Sequence, residues 1–144
     1  MAAAIDRRDL RHLQTWAEEC FPEEACALLT GEAVGDEVNI SAVHPGKNVA
    51  VDRRRHFEVD PRLILQLQKD MRKGGGDIIG VFHTHPTGSA EPSATDMARA
   101  WEKDFLWLIA AMPEGKVREI RAFRPSGGKI GFVEIDLHVR RSGV

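Results

Sequence analysis

No run of apolar residues in this 144-residue chain approaches the roughly 20 needed to cross a bilayer. The opening Met1-Ala2-Ala3-Ala4-Ile5-Asp6-Arg7-Arg8 also lacks the long apolar core of a secretion signal. A membrane protein is thereby disfavoured, and a cytoplasmic one is expected. Cysteine is scarce: only Cys20 and Cys26 are present, too few for a disulfide framework, and in a reducing compartment they read as small buried residues. Charge of one sign is missing too, since 20 basic residues face 22 acidic ones for a net charge of -2. Nothing suggests a surface for a polyanion, so nucleic acid is not an expected partner. Internal repeats, low-complexity tracts and linkers are absent as well. What remains is a chain with 42% hydrophobic residues, enough for one cored domain over residues 1–144.

The informative stretch is His83-Thr84-His85-Pro86, followed by Ser93-Ala94-Thr95-Asp96. Side chains on a strand repeat every second residue, so His83 and His85 share a face and Thr84 turns away. Pro86 cannot continue a central strand, and the residues from Pro86 to Pro92 are enough to curl back and bring Asp96 beside the rings. Two imidazoles and one carboxylate form a catalytic zinc set, with a fourth position left for water. Ser93 and Asp96 also fit a plainer description, the cap and first turn of a helix. The two are compatible, because a helix N-terminus can hold Asp96 rigidly while its carboxylate faces a metal.

Around this stretch the pattern predicts a helix over residues 6–20, capped by Asp6 and buried through Leu10, Leu13, Ala17 and Cys20. Ala25 to Thr30 is a short apolar run, and a turn over Gly31–Asp36 leads to alternation at Val38 and Ile40, which suggests a hairpin. Residues 44–59 are irregular and polar. Asp60-Pro61 opens a second helix, buried through Leu63, Ile64, Leu67 and Met71 and ended by Gly74-Gly75-Gly76. Ile78 to His85 reads as a central strand, and a third helix runs from near Ser93 to about Lys103. Phe105 to Ala111 reads as an interior strand, with Val117–Phe123 and Ile130–Val139 as outer ones. The order α-β-β-α-β-α-β-β-β describes an α/β (α+β) chain, a mixed sheet flanked by helices.

The linked spacing of His83, His85, Pro86, Ser93 and Asp96, with Glu24 upstream, resembles the JAMM (MPN+, JAB-domain) zinc metalloproteases of small prokaryotic type. Pro22 to Gly31 resembles that family's first strand, although Ala27 stands where glycine is frequent. The likeness covers about residues 5–137 and implies a cytidine-deaminase-like fold. It implies that His83, His85 and Asp96 hold Zn²⁺, that Glu24 is the general base, and that Ser93 donates to the oxyanion. Glu23 should face away from Glu24 on an extended segment.

Hydrolysis of an amide, peptide or isopeptide bond is therefore expected, at the C-terminal tail of a ubiquitin-like or sulfur-carrier protein. A zinc amidase or peptidase acting on a cell-wall peptide or small amide is the enzymatic alternative. A non-catalytic MPN scaffold is the other, disfavoured by the complete ligand set. Amidohydrolase barrels also use His-x-His but need about 250 residues. His12, His44, His56 and His138 have no partner at ligand spacing and read as surface or packing residues. Arg53-Arg54-Arg55 reads as a solvated loop or a greeting surface for an acidic partner, and residues 44–59, with Asn48 and Phe57, as one wall of a substrate groove.

Overall fold

The computed structural model describes residues 1–86, 88–93, 96, 105–125 and 131–141. In chain order its elements are β1 (Ala2–Asp6), α1 (Arg7–Cys20), β2 (Cys26–Val34), β3 (Glu37–Gly46), α2 (Pro61–Arg72), β4 (Asp77–His85), β5 (Leu106–Ala111), β6 (Glu119–Pro125) and β7 (Phe132–Arg140). The strands pair in the order β1-β3-β2-β4-β5-β6-β7 and close into a barrel, because β1 lies parallel to both β3 and β7. The sheet is mixed: β4 and β5 are also parallel, and the remaining pairs are antiparallel.

Two expectations change here. The alanine-rich start is a strand, with Ala3 and Ile5 fully buried between two neighbours. Alanine carries almost no strand signal of its own, so only tertiary pairing reveals this. Since β1 joins β3 to β7, the strands expected to be outer have partners on both sides. Asp6 sits at the cap position of α1 but makes no side-chain capping bond. Its carboxylate instead accepts from Arg140 Nε at 2.8 Å, tying β1 to the end of β7. The expected third helix lies outside the described residues, apart from Ser93 and the helical Asp96.

Alternation along each strand feeds two cores. Ala27 and Leu29 of β2, Phe82 of β4 and Leu106, Leu108 and Ala110 of β5 meet Leu13 and Ala17 of α1. The intervening residues Cys26, Leu28, Val81, Trp107 and Ile109 meet Leu67 of α2 and Phe57 and Val59 of the preceding loop. As successive side chains point to opposite faces, α1 and α2 pack on opposite sides of the sheet. Asp60 caps α2 by accepting from Arg62 N–H, and Gly74, at φ 98°, follows its end in a conformation that favours glycine. Met71, expected on the buried side, is 36% exposed.

Gly80 fixes how closely β4 approaches β5. A Cβ there would sit 2.4 Å from the Leu106 carbonyl oxygen, so alanine would force the two strands apart. This pairing sets His83 opposite Ile109 and next to Trp107, and so places the site.

Candidate active site

His83 and His85 end β4, with His83 fully buried and His85 at the rim. Thr84 between them points the other way, and its buried hydroxyl accepts from Ala25 N–H at 2.8 Å while Thr84 N–H donates to Ala25 O at 3.1 Å. Those two bonds clamp the residue after Glu24 to the strand of histidines. Losing the hydroxyl would strand the Ala25 N–H, at a cost of about 1–3 kcal/mol. The signal for Thr84 was legible, a hydroxyl between two histidines on an apolar strand, but its partner was not.

The clamp turns Glu24 inward. Its side chain is 6% exposed, and Oε1 lies 3.4 Å from His83 Nδ1. Glu23 faces outward, where its Oε2 accepts from Arg53 Nε at 3.1 Å. On the opposite side of the rings, Asp96 Oδ1 is 3.2 Å from His83 Nε2 and Oδ2 is 3.1 Å from His85 Nε2. Asp96 is held by reciprocal bonds: its carboxylate accepts from Ser93 N–H at 2.8 Å, and Asp96 N–H donates to Ser93 Oγ at 3.1 Å. Both descriptions of this pair thus coexist, a capping arrangement and a carboxylate aimed at two imidazoles. Because Ser93 Oγ accepts there, its own hydrogen is left to donate elsewhere.

The ring nitrogens and the Asp96 oxygens meet with their lone pairs facing one another. His85 Nδ1 is 3.0 Å from Ser89 O, which can only accept, so Nδ1 carries the proton. In a neutral ring Nε2 then faces Asp96 Oδ2 lone pair to lone pair, and a proton or a metal ion must lie between them. His83 poses the same problem in a drier place. Both its nitrogens are buried and neither has a hydrogen-bond partner among the described residues. Burial opposes protonation of His83, yet Asp96 and Glu24 outweigh it and raise its pKa. Burial likewise pushes the Asp96 carboxyl up, but His83 and His85 hold it well below the usual carboxylate range. One ligand atom from each of His83, His85 and Asp96 lies within 4.8 Å of the others. That is close to the roughly 3–4 Å span set by metal–ligand bonds near 2 Å, and two imidazoles with a carboxylate suit zinc. The residues fit the ion.

Aromatic packing holds the inner ligand. Phe57 stacks on His83 with centroids 4.4 Å apart and planes at 19°, and Trp107 meets the same ring edge-on at 5.8 Å. Such contacts contribute about 0.5–1.5 kcal/mol each and leave His83 little freedom to turn. In front of the rings a cavity of about 240 Å³ is lined by Glu24, His85, Ser93 and Asp96 on one side and by Arg54, Arg55, His56 and Phe57 on the other. His56 therefore lies at the site, where spacing alone had left it as a surface or packing residue. Phe57 lines the cavity, whereas Asn48 does not and instead bonds the backbone of His56 and Glu58 on either side of it. His44 is elsewhere, paired with Thr30 Oγ1 at 2.8 Å. Cys20 and Cys26 form no disulfide; the Cys26 thiol donates to Gly46 O at 3.6 Å, and burial followed by Glu19 and Glu23 pushes Cys20 up to about 11. No helix among the described residues is long and apolar enough to cross a membrane.

Residues 6–126 match the family of prokaryotic homologues of the JAB domain. A relative named desampylase, from Haloferax volcanii, is 34% identical over 119 residues, spanning 81% of this chain and 84% of its own. A probable TtuB-protein conjugate cleaving protease of Thermus thermophilus is 27% identical over 114 residues, spanning 78% and 69%. Among solved structures, a Desulfitobacterium hafniense protein determined in solution superimposes with a TM-score of 0.83 at 31% identity, covering 99% of this chain and 94% of that one. The chain belongs to the JAB (JAMM/MPN) family in its prokaryotic form.

Proposed function

We propose that this protein is a zinc-dependent peptidase or isopeptidase that cleaves an amide bond at the C-terminal tail of a ubiquitin-like or sulfur-carrier protein. The observation that carries the proposal is the convergence of His83, His85 and Asp96 ligand atoms beside the buried Glu24. His83, His85 and Asp96 would hold the zinc. When bound, zinc supplies Lewis acidity, lowering the pKa of water to about 7 and polarising a carbonyl. Glu24 accepts a proton from the attacking water and passes it to the departing amine, so that the water oxygen bonds to carbon as the C–N bond breaks. Ser93 Oγ–H donates to the carbonyl oxygen as negative charge builds there. Residues 1–144 then form one catalytic domain of cytidine-deaminase-like architecture, acting in the cytoplasm.

The names of the two curated relatives support a conjugate or carrier tail as substrate. A carrier protein extended beyond its terminal Gly-Gly is expected to be cleaved after the second glycine, and a strong zinc chelator is expected to stop it. Mass spectrometry of the products checks both. Activity confined to cell-wall peptides or acylated small amines would replace the substrate and keep the chemistry.

Arg54 and Arg55 add a preference. Arg53 is engaged by Glu23 and Arg55 lies 3.9 Å from Asp52, while Arg54 and Arg55 line the cavity across from Glu24 and Asp96. Two guanidinium groups at that rim favour a tail with a carboxylate close to the scissile bond. The double substitution Arg54→Glu, Arg55→Glu is expected to raise KM for an acidic tail about tenfold with kcat nearly unchanged, and less for a neutral one. Steady-state kinetics on paired peptides reads this; equal KM shifts for both tails would remove the preference.

A further inference from the structure

Asn48 joins the loop that walls the cavity to the segment that carries Glu24. Its side-chain amide donates to Glu24 O at 2.9 Å, to His56 O at 3.0 Å and more weakly to Arg53 O at 3.4 Å. Its Oδ1 accepts from Ala50 N–H at 3.0 Å and from Glu58 N–H at 3.1 Å. One side chain thus touches the backbone of five residues, at both ends of the loop, at its tip and beside β2. The same two segments are tied again by Glu24 N–H donating to Arg53 O at 2.7 Å. Phe57, which stacks on His83, directly follows one of the bonded residues. Only an amide combines paired donors with an acceptor at this reach; an aspartate lacks the donors, and a serine has one.

We propose that Asn48 is a positioning residue for Glu24, holding its backbone so that the carboxylate stays beside His83 and the cavity. This rests on the hydrolase reading above. Displacement of a catalytic group by about 1 Å can cost on the order of 10²-fold in rate, so a hub of this kind acts on turnover rather than on binding.

The variant Asn48→Asp keeps shape and acceptor but sets an anionic oxygen against three carbonyls. In the purified protein, amide hydrogen exchange at Glu24 is expected to accelerate about tenfold or more while exchange along β4 and β5 is unchanged. With the Gly-Gly-extended carrier, kcat is expected to fall about tenfold while KM and zinc content stay within about twofold. In a Glu24→Gln background the same change is expected to cost less than about twofold, because the group being positioned is no longer a base. Should Asn48→Asp fail to fold, Asn48→Ser is put through the same cycle. Unchanged exchange at Glu24, or an equal loss of kcat in both backgrounds, would overturn the proposal. A wild type that leaves the carrier intact defeats the carrier-tail reading of the substrate instead, and the exchange measurement then decides the Asn48 clamp by itself.

Discussion

Glu24→Gln is expected to lower turnover by about 10²-fold or more while zinc stays bound. The amide matches the carboxylate in shape, and Glu24 is placed beside the ligand set, 3.4 Å from a His83 nitrogen, without belonging to it. What is lost is the ability to take a proton. Glu23→Gln supplies the control, since Glu23 faces solvent and pairs with a half-exposed Arg53. An exposed pair of that kind contributes about 0–1 kcal/mol, so turnover should stay within a few-fold of wild type. Steady-state kinetics with metal analysis of each variant reads the comparison. If Glu23→Gln abolished activity and Glu24→Gln spared it, the roles would be reversed; if neither mattered, another group is the base.

Replacing a ligand has the other large effect, and the two histidines separate chemistry from packing. His83→Ala and His85→Ala are each expected to weaken zinc binding by about 10²-fold or more, with turnover falling to background. Stability should divide them. His83 is fully buried, stacked on Phe57 and edged by Trp107, so its loss opens a cavity and should cost about 2–4 kcal/mol in the zinc-free protein. His85 sits at the rim, where its ring bonds Ser89 O and Asp96 Oδ2, and its loss should cost less, about 1–2 kcal/mol. Melting of the zinc-free proteins is the measurement, because bound zinc would add its own stabilisation to whichever variant still binds it. Equal melting temperatures for the two variants would show that the aromatic cradle around His83 does not hold it.

Much of the candidate site was legible because its grammar is local. The period of a strand puts His83 and His85 on one face, and Pro86 to Pro92 form a return short enough to bring back Asp96. The opposed directions of Glu23 and Glu24 follow from the same period, applied to the extended segment that leads into the neighbouring strand β2. What escaped is what depends on contacts distant in sequence. Thr84 needed Ala25 as a partner, 59 residues away. Asn48 looked like one polar residue in an irregular stretch, since all five of its partners are backbone atoms and leave no pattern in side-chain types. His56 lines the cavity with its carbonyl bonded by Asn48, a contact eight residues away. The elements followed the same division. Of the described helices, α1 and α2 were marked by apolar spacing, and α2 also by its Asp60-Pro61 start. β1 was invisible, because Ala2-Ala3-Ala4 carries no strand preference and is a strand only because β3 and β7 flank it. Missing β1 left the sheet open on paper, and β6 and β7 at its margin.

The most direct test of the central claim, that three side chains from β4 and the segment after it form one zinc centre, is metal analysis of the purified protein beside the double variant His83→Ala, His85→Ala. Close to one zinc per chain is expected in the wild type and almost none in the variant, with both proteins folded by circular dichroism. Full zinc occupancy in the double variant would place the metal elsewhere and contradict the account.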